Sequence, residues 1–174
     1  MTGLPNQLLD RVGSVLQVLP PLPSALRYHD DYLDEMHSLR DLADEKCWPI
    51  HCDGQTSMLD FRRLSEPFRH LFKHLIVDFL GKSDVTYVTI LFSSMSRSIE
   101  KLGDELLLNC IILTPPKFRS YWMEKISPAL SSVEANALKS MLRSFCTLHI
   151  GSWQIGLENY IAQLPVVKSD VYRT

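Results

Sequence analysis

With 174 residues, 45% of them hydrophobic, the chain can bury a core and is expected to form one domain, with or without an appended subdomain. A net charge of −2 excludes a strongly basic nucleic-acid-binding protein as a description of the whole chain. The apolar run from Val12 to Leu26 is interrupted by glycine, glutamine and proline, so we predict no membrane-spanning segment. We therefore expect a cytoplasmic protein whose four cysteines are free thiols.

The charge is unevenly distributed along the chain. Residues 1–59 hold 4 basic and 9 acidic side chains, whereas residues 60–174 hold 14 basic and 11 acidic ones. The first segment therefore has a balance of −5 and the second a balance of +3. This asymmetry indicates an acidic N-terminal extension in front of a mildly basic domain.

The first part of the chain contains two predicted helices separated by a proline-rich connector. Apolar residues recur at helical spacing from Asn6 to Leu19, and the PPLP motif at residues 20–23 ends that helix. A second helix is predicted from Ser24, an N-cap residue, to about Asp44. The DDYLDE and DLADE motifs in this second segment would also suit a loose acidic surface segment.

Residues 47–61 change from helical to β character. Asp53 and Gly54 separate two short apolar runs, and glycine can adopt the positive φ that a tight turn needs. This pattern predicts a small β-hairpin.

From Arg62 onward the sequence pattern is helical. Each predicted helix combines an apolar stripe at helical spacing with start or stop residues at its ends. The expected segments are Ser65 to Gly81, Ser83 to Gly103, Asp104 to Leu113, Thr114 to Ile126, Ser131 or Ser132 to Gly151, and Trp153 to Leu164. The segment from Asp104 is either a buried connection or a short helix, and the stripe of the Ser131 helix begins at Val133.

Signatures of catalysis and metal binding are weak. The sequence contains no glycine-rich phosphate loop, no nucleophile elbow and no HExxH or CxxC motif. Residues 47–52 and His37 supply two cysteines and two histidines, but two adjacent ligands suit a tetrahedral zinc site poorly. His70 and His74 share one helix face without a third ligand. We therefore expect no catalytic residues, no metal and no cofactor.

Polar and basic side chains oppose the apolar stripes of two helices and form a third cluster after the hairpin. On the Ser83 helix they are Thr86, Thr89, Ser93 and Arg97, and on the Ser131 helix they are Ser132, Asn136, Lys139, Ser140 and Arg143. The cluster after the hairpin consists of Arg62, Arg63, Arg69 and Lys73. Such faces can bind DNA, because Asn, Arg and Lys read base edges while hydroxyl and basic groups hold phosphates. An ordinary solvated helix face gives the same pattern, so the residues alone leave both interpretations open.

The order of these elements resembles the N-terminal, SAM-like core-binding domain of the tyrosine recombinases, the phage-integrase family. The residues that carry the resemblance are SDVTYVTILFSSMSRSIEKL from Ser83, SMLRSF from Ser140 in the place of an LSxLRxF segment, and Leu164-Pro165 in the place of a linker proline. The resemblance covers about residues 60–174.

This resemblance implies a SAM-like bundle of four to five helices, namely a core-binding domain at 60–164 followed by a linker at 165–174. With the acidic helical extension at 1–59 and the small β-hairpin predicted from the residues, the expected fold class is mainly α. The implied partner is double-stranded DNA at a recombination site, with a possible homo-oligomer on the DNA, no membrane and a location at the nucleoid when bound.

The same resemblance assigns the DNA contacts to the two helices and the cluster named above, with Lys168 and Arg173 of the linker assisting at the phosphate backbone. The family's catalytic Arg, His and Tyr residues have no counterpart here. The chain is therefore expected to be a DNA-binding fragment that is not an enzyme by itself.

A second hypothesis from the residues is a helical protein–protein interaction domain without DNA binding. In this interpretation the aromatic residues Trp48, Trp153 and Tyr160 are exposed and anchor a partner.

Overall fold

Helices make up most of the described chain, which confirms the predicted mainly α fold with a small β-hairpin. The computed structural model describes residues 10, 13–14, 19–23, 26–27, 33–34, 42, 45–52, 55–64, 68–151, 153 and 156–167. Of the predicted first helix, Asp10, Gly13 and Ser14 are described and are helical, and residues 20–23 have no regular structure.

The chain divides into two compact units. One is formed by Val18–Ser93 and the other by Met1–Gln17 together with Ser94–Thr174. The boundary predicted at residue 60 does not coincide with this division, because the hairpin and the helix that follows it belong to the same unit.

The segment predicted as the helix from Ser24 to Asp44 contains strands instead. β1 (Leu26–Arg27) pairs antiparallel with β2 (Leu33–Asp34), so the helix prediction is wrong at these residues. Leu26 is fully buried and β1 lies against the helix that begins at Phe68. The remaining residues of this segment, apart from Leu42, lie outside the described part of the chain.

The hairpin predicted around Asp53 and Gly54 is confirmed. β3 (Cys47–Cys52) pairs antiparallel with β4 (Gln55–Asp60), in a register that matches Cys52 to Gln55. Trp48 and Ile50 lie two residues apart and so share a face with their cross-strand partners Leu59 and Ser57, although Ser57 is exposed. The buried set is Trp48, Ile50 and Leu59, and the exposed set on β4 is Thr56, Ser57 and Met58.

Helix α1 (Phe68–Lys82) buries the predicted apolar face. Gly81 lies inside this helix without a positive φ, so its interpretation as the C-cap is wrong; the helix ends one residue later. The predicted start residues Ser65 and Pro67 lie outside the described residues.

Helix α2 (Val85–Leu102) begins at a different cap from the predicted Ser83. The carboxylate of Asp84 accepts a hydrogen bond of 2.8 Å from the backbone N–H of Thr86, which satisfies one of the free donors of the first turn. Gly103, with φ of 76°, ends the helix as predicted.

Two short helices follow Gly103. Helix α3 (Asp104–Ile112) is largely buried, so the apolar LLLNCII run forms a helix rather than an irregular connection. Helix α4 (Pro115–Tyr121) starts after Thr114 as predicted. It continues into a π-helical turn at Trp122–Ile126, in which the N–H of Ser127 donates to the carbonyl of Trp122.

Helix α5 (Ser132–Leu148) is capped by Ser131, in agreement with the predicted start. It ends at His149, which adopts a left-handed conformation with φ of 56°, two residues before the predicted Gly151. Val133 is 51% exposed rather than inward, and the next two residues of the first turn, Glu134 and Ala135, are buried instead.

The last helix in the described part of the chain is α6 (Glu158–Ala162), which is shorter than the predicted segment from Trp153 to Leu164. Trp153 precedes it as a buried side chain whose indole N–H donates to the carbonyl of Cys110 over 2.6 Å. After α6, the carbonyl of Pro165 accepts hydrogen bonds from Trp122 Nε1 at 2.6 Å and from Ser127 Oγ at 3.2 Å.

Cys47, Cys110 and Cys146 are free thiols, as predicted; Cys52 lies outside the residues whose side chains are described. Among the residues that the structure describes, no helix combines the length and apolar character that crossing a bilayer needs.

Gly151 is expected to tolerate no side chain. Its φ is +59°, and a Cβ atom there would overlap the carbonyl oxygen of Ile111. We expect Gly151→Ala to lower the free energy of unfolding by at least about 2 kcal/mol, measured by urea denaturation.

The matched control is Gly81→Ala, because Gly81 lies within α1 and a Cβ atom there meets no atom within 4 Å. This control should gain about 0.5–1 kcal/mol from the better helix propensity of alanine. Equal unfolding midpoints for the two variants would contradict the expected overlap at Ile111.

Candidate nucleic-acid interface

The basic cluster after the hairpin is only partly available to a ligand. Arg62 and Arg63 are exposed, and Arg62 forms a two-point ion pair with Asp60, with Nε–Oδ1 and Nη2–Oδ2 distances of 2.9 and 3.0 Å. The hydrogen bonds from Arg62 hold the pKa of Asp60 well below its usual range. Arg69 is half-buried and its Nε donates to the carbonyl of Leu64.

Lys73, the fourth member of this cluster, points into the protein. It is 3% exposed, and its ammonium group donates to the carbonyl of Leu42 over 2.9 Å. The same nitrogen lies 5.8 Å from the ring centre of Trp48 and 5.7 Å from that of Phe61, which is within the range of cation–π attraction. The structure thus gives Lys73 an internal role, and we leave it out of the proposed interface.

The hydroxyl face predicted on α2 is mixed in character. Thr86 is exposed, while Thr89 and Ser93 are half-buried, and the hydroxyl of Thr89 donates to the carbonyl of Thr86 over 2.8 Å. Between them Tyr87 and Ile90 are 47% and 56% exposed. The N-terminal half of α2 therefore presents apolar as well as polar side chains.

The outer face of α5 matches the prediction more closely. Asn136 and Arg143 are exposed, and Ser132 and Ser140 are half-buried on the same side. Thr147, one turn beyond Arg143, is also exposed and was missed by the sequence analysis. None of the exposed residues of α5 is acidic, since the helix has a single carboxylate and that side chain is buried.

Lys139 was predicted to belong to this face but is 7% exposed. Its ammonium group donates to the carbonyls of Ala162 and Leu164 at 3.0 and 2.9 Å. Burial lowers the pKa of Lys139, and the nearby charge of Arg143 lowers it further. The predicted DNA contact at Lys139 is therefore replaced by an internal one.

The buried carboxylate of α5 belongs to Glu134, which meets two cations of α2. Its Oε1 lies 2.7 Å from Lys101 Nζ, and its Oε2 lies 3.8 Å from Arg97 Nε. Burial by itself raises the pKa of Glu134, but hydrogen bonds from Lys101 and Ser131 outweigh it, so the pKa lies below the ordinary value. The ion pair between Lys101 and Glu134 was not predicted from the sequence, although the SxxE spacing from Ser131 is a capping-box signal.

The paired histidines of α1 do not form a recognisable metal site. The rings of His70 and His74 are 4.8 Å apart, edge to face, and the buried Nε2 of His74 has no hydrogen-bond partner. Burial, and secondarily the neighbouring His70, lower the pKa of His74 to about 4. Within the described part of the chain, no three His, Cys, Asp or Glu side chains converge as metal ligands would.

The aromatic anchors proposed for a protein partner are not exposed. Trp48 and Trp153 are fully buried, and the half-buried Tyr160 donates its hydroxyl hydrogen to the carbonyl of Pro115. Among the residues whose side chains are described, the exposed large apolar ones are instead Met58, Tyr87, Ile90, Met123, Val133 and Val167.

Comparison with known proteins identifies no relative of this chain. No family model matches the chain, and neither a curated protein nor a solved structure matches it. A functional proposal therefore stands on the sequence pattern and on the contacts described above.

The internal role of Lys139 can be separated from a surface role by substitution. Lys139→Met leaves the carbonyls of Ala162 and Leu164 without their donor, so we expect it to lower the free energy of unfolding by about 1–3 kcal/mol in urea denaturation. Arg143→Met, one turn away on the exposed side, should change it by less than about 0.5 kcal/mol. If both variants unfold at the wild-type midpoint, the contacts of Lys139 do not stabilise the fold.

Proposed function

We propose that the chain binds duplex DNA through the outer face of α5, as the core-binding module of a site-specific recombinase of the tyrosine class. The observation that carries this proposal is the exposed side of α5, where Asn136, Ser140, Arg143 and Thr147 follow one another without an exposed carboxylate. A solvated helix normally mixes acids and bases on its outer side, so this composition favours an anionic partner.

The chemistry of these side chains fits the edges and backbone of a duplex. The major groove is about 12 Å wide and accepts an α-helix. The amide of Asn136 can pair with adenine and the guanidinium of Arg143 with guanine, each through two hydrogen bonds. The hydroxyl group of Ser132 suits a phosphate oxygen. Those of Ser140 and Thr147 donate to the carbonyls of Asn136 and Arg143 over 3.3 Å and would have to leave them to bind phosphate.

Arg62, Arg63 and Thr86 belong to the other unit, Val18–Ser93, and their exposed side chains are proposed as phosphate contacts of that unit taken by itself. Arg69, Thr89 and Ser93 are half-buried and contribute less. Assembly of copies on the DNA and a location at the nucleoid are consequences of the proposal. Strand cleavage is not assigned to this chain.

The test is a salt titration of binding to a fluorescently labelled duplex of mixed sequence, followed by fluorescence anisotropy. Wild-type affinity should fall as salt rises from about 50 to 200 mM, since phosphate binding releases counterions. Arg143→Gln should reduce the slope of log affinity against log salt by about one. The control Lys125→Gln removes the same charge from an exposed side chain outside α5 and should leave the slope nearly unchanged.

A second readout is the selection of bound duplexes from a random pool. Asn136→Ala should reduce the enrichment of particular sequences, because a base contact is lost while the charge is retained. Absence of wild-type binding at low salt, or identical slopes for Arg143→Gln and Lys125→Gln, would overturn the proposal.

Exposed apolar side chains in the unit Val18–Ser93 favour a second candidate function, a helical protein–protein interaction domain. Tyr87 and Ile90 are neighbours one turn apart on α2, and both are about half exposed. In this case the DNA-free chain should sediment as a concentration-dependent oligomer, and Ile90→Ser should return it to the monomer. A monomer at all concentrations would exclude self-association through these residues.

A further inference from the structure

Two cations of α2 are gathered at one carboxylate near the start of α5. Lys101 donates to Glu134 Oε1 over 2.7 Å, while Arg97 approaches Oε2 at 3.8 Å. Arg97 also donates from Nη2 to Ser94 Oγ over 3.2 Å. The three charged groups therefore form one cluster, in which each carboxylate oxygen faces a different cation.

Burial within this cluster is asymmetric. The side chain of Glu134 is 5% exposed, whereas those of Arg97 and Lys101 are 49% and 50% exposed. The anion is thus withdrawn from solvent, while about half of each cationic side chain remains accessible. With one negative and two positive groups, the cluster keeps a positive charge on its outer side.

The orientation of Glu134 is set by the backbone as well as by the cations. Its Oε1 accepts a hydrogen bond of 3.0 Å from the N–H of Ser131, and its own N–H donates to Ser131 Oγ over 3.2 Å. This reciprocal capping box fixes the side chain at the third position of α5. Glu134 is therefore a rigid anchor, to which two longer and more flexible side chains are attached.

We propose that Glu134 is a positioning residue that holds Arg97 and Lys101 as a pair of phosphate contacts at the first turn of α5. The inference rests on the proposed DNA binding and adds Lys101 and Glu134 to its binding site. Residues four apart on a helix have Cβ atoms about 5–6 Å from each other, so the two cations can contact one stretch of phosphate backbone.

The physical reason is preorganisation. Two like charges at this spacing repel each other, and long basic side chains lose rotamer freedom when they bind a phosphate. The carboxylate between them offsets the repulsion and restricts their rotamers before DNA arrives. Binding then requires less ordering of the side chains.

The Glu134→Gln variant distinguishes the effect of side-chain positioning on duplex affinity from the effect of net charge. Glutamine at the third helical position retains the capping box, so helix α5 should remain folded. The substitution makes the chain more positive by one unit, and electrostatics alone would then strengthen DNA binding. Positioning predicts the opposite result, a duplex affinity roughly threefold to tenfold lower with a shallower salt dependence.

The matched control is Glu124→Gln, which makes the same charge change at an exposed residue of the π-helical turn. It should bind labelled duplex as tightly as wild type or more tightly. Thermal unfolding of both variants, followed by circular dichroism, checks that α5 is intact.

If Glu134→Gln does not fold, the double variant Arg97→Gln/Lys101→Gln takes its place, because it leaves Glu134 and the cap unchanged. It should lower the salt slope by about two. The control for this variant is Lys117→Gln/Lys125→Gln, which removes two exposed cations elsewhere in the same unit.

The two proposals fail in different ways. Wild-type chain that does not bind the duplex overturns the proposed function itself. Wild-type binding together with a Glu134→Gln variant that binds as tightly as Glu124→Gln overturns the positioning role alone. Equal salt slopes for Arg97→Gln/Lys101→Gln and Lys117→Gln/Lys125→Gln also overturn the positioning role.

Discussion

A buried ammonium group holds the last described segment of the chain against α5. Removing a lysine charge from water costs several kcal/mol unless hydrogen bonds replace the lost hydration, and the carbonyls at a helix end also need donors. Lys139 meets both needs at once, since it donates to the carbonyls of Ala162 and Leu164. Trp122 and Ser127 satisfy the next carbonyl, that of Pro165. Helix α5, the π-helical turn and residues 162–165 therefore depend on one polar network within an otherwise apolar core.

The polar and charged residues of α5 fall into two sets, one buried and one exposed, with different roles. Lys139 and Glu134 are buried and engaged with backbone and side-chain partners, so they maintain the structure. Arg143 and Asn136 are exposed on the same helix and are the side chains that a ligand can reach. Any binding function of α5 is consequently carried by fewer residues than its polar composition suggests, and those residues are supported by the buried set beneath them.

The elements that are defined by a local sequence pattern could be predicted from the sequence. The apolar stripes of α1, α2 and α5, the Asp-Gly hairpin and the Ser131 cap each have signals within a few residues of the element they define. β1 and β2 were missed because two-residue strands are too short to show alternation. The inward placement of Lys73 and Lys139 was also missed, because lysine is usually exposed and their carbonyl partners lie 31 and 23–25 residues away. Trp48 and Trp153 illustrate the same limit, since burial of a tryptophan depends on contacts that no local spacing encodes.

The inward placement of two lysines changes how much charge the chain can offer to a polyanion. Residues 60–174 have a positive balance of 3, yet Lys73 and Lys139 lie inside the protein and Arg62 is paired with Asp60. A DNA contact with fewer accessible cations than the sequence suggests would displace fewer condensed ions from the duplex, and sequence-independent affinity depends mainly on that displacement. Such a module would be released easily from arbitrary DNA. Its preference for a particular site would then come mostly from hydrogen bonds to base edges rather than from attraction to the backbone.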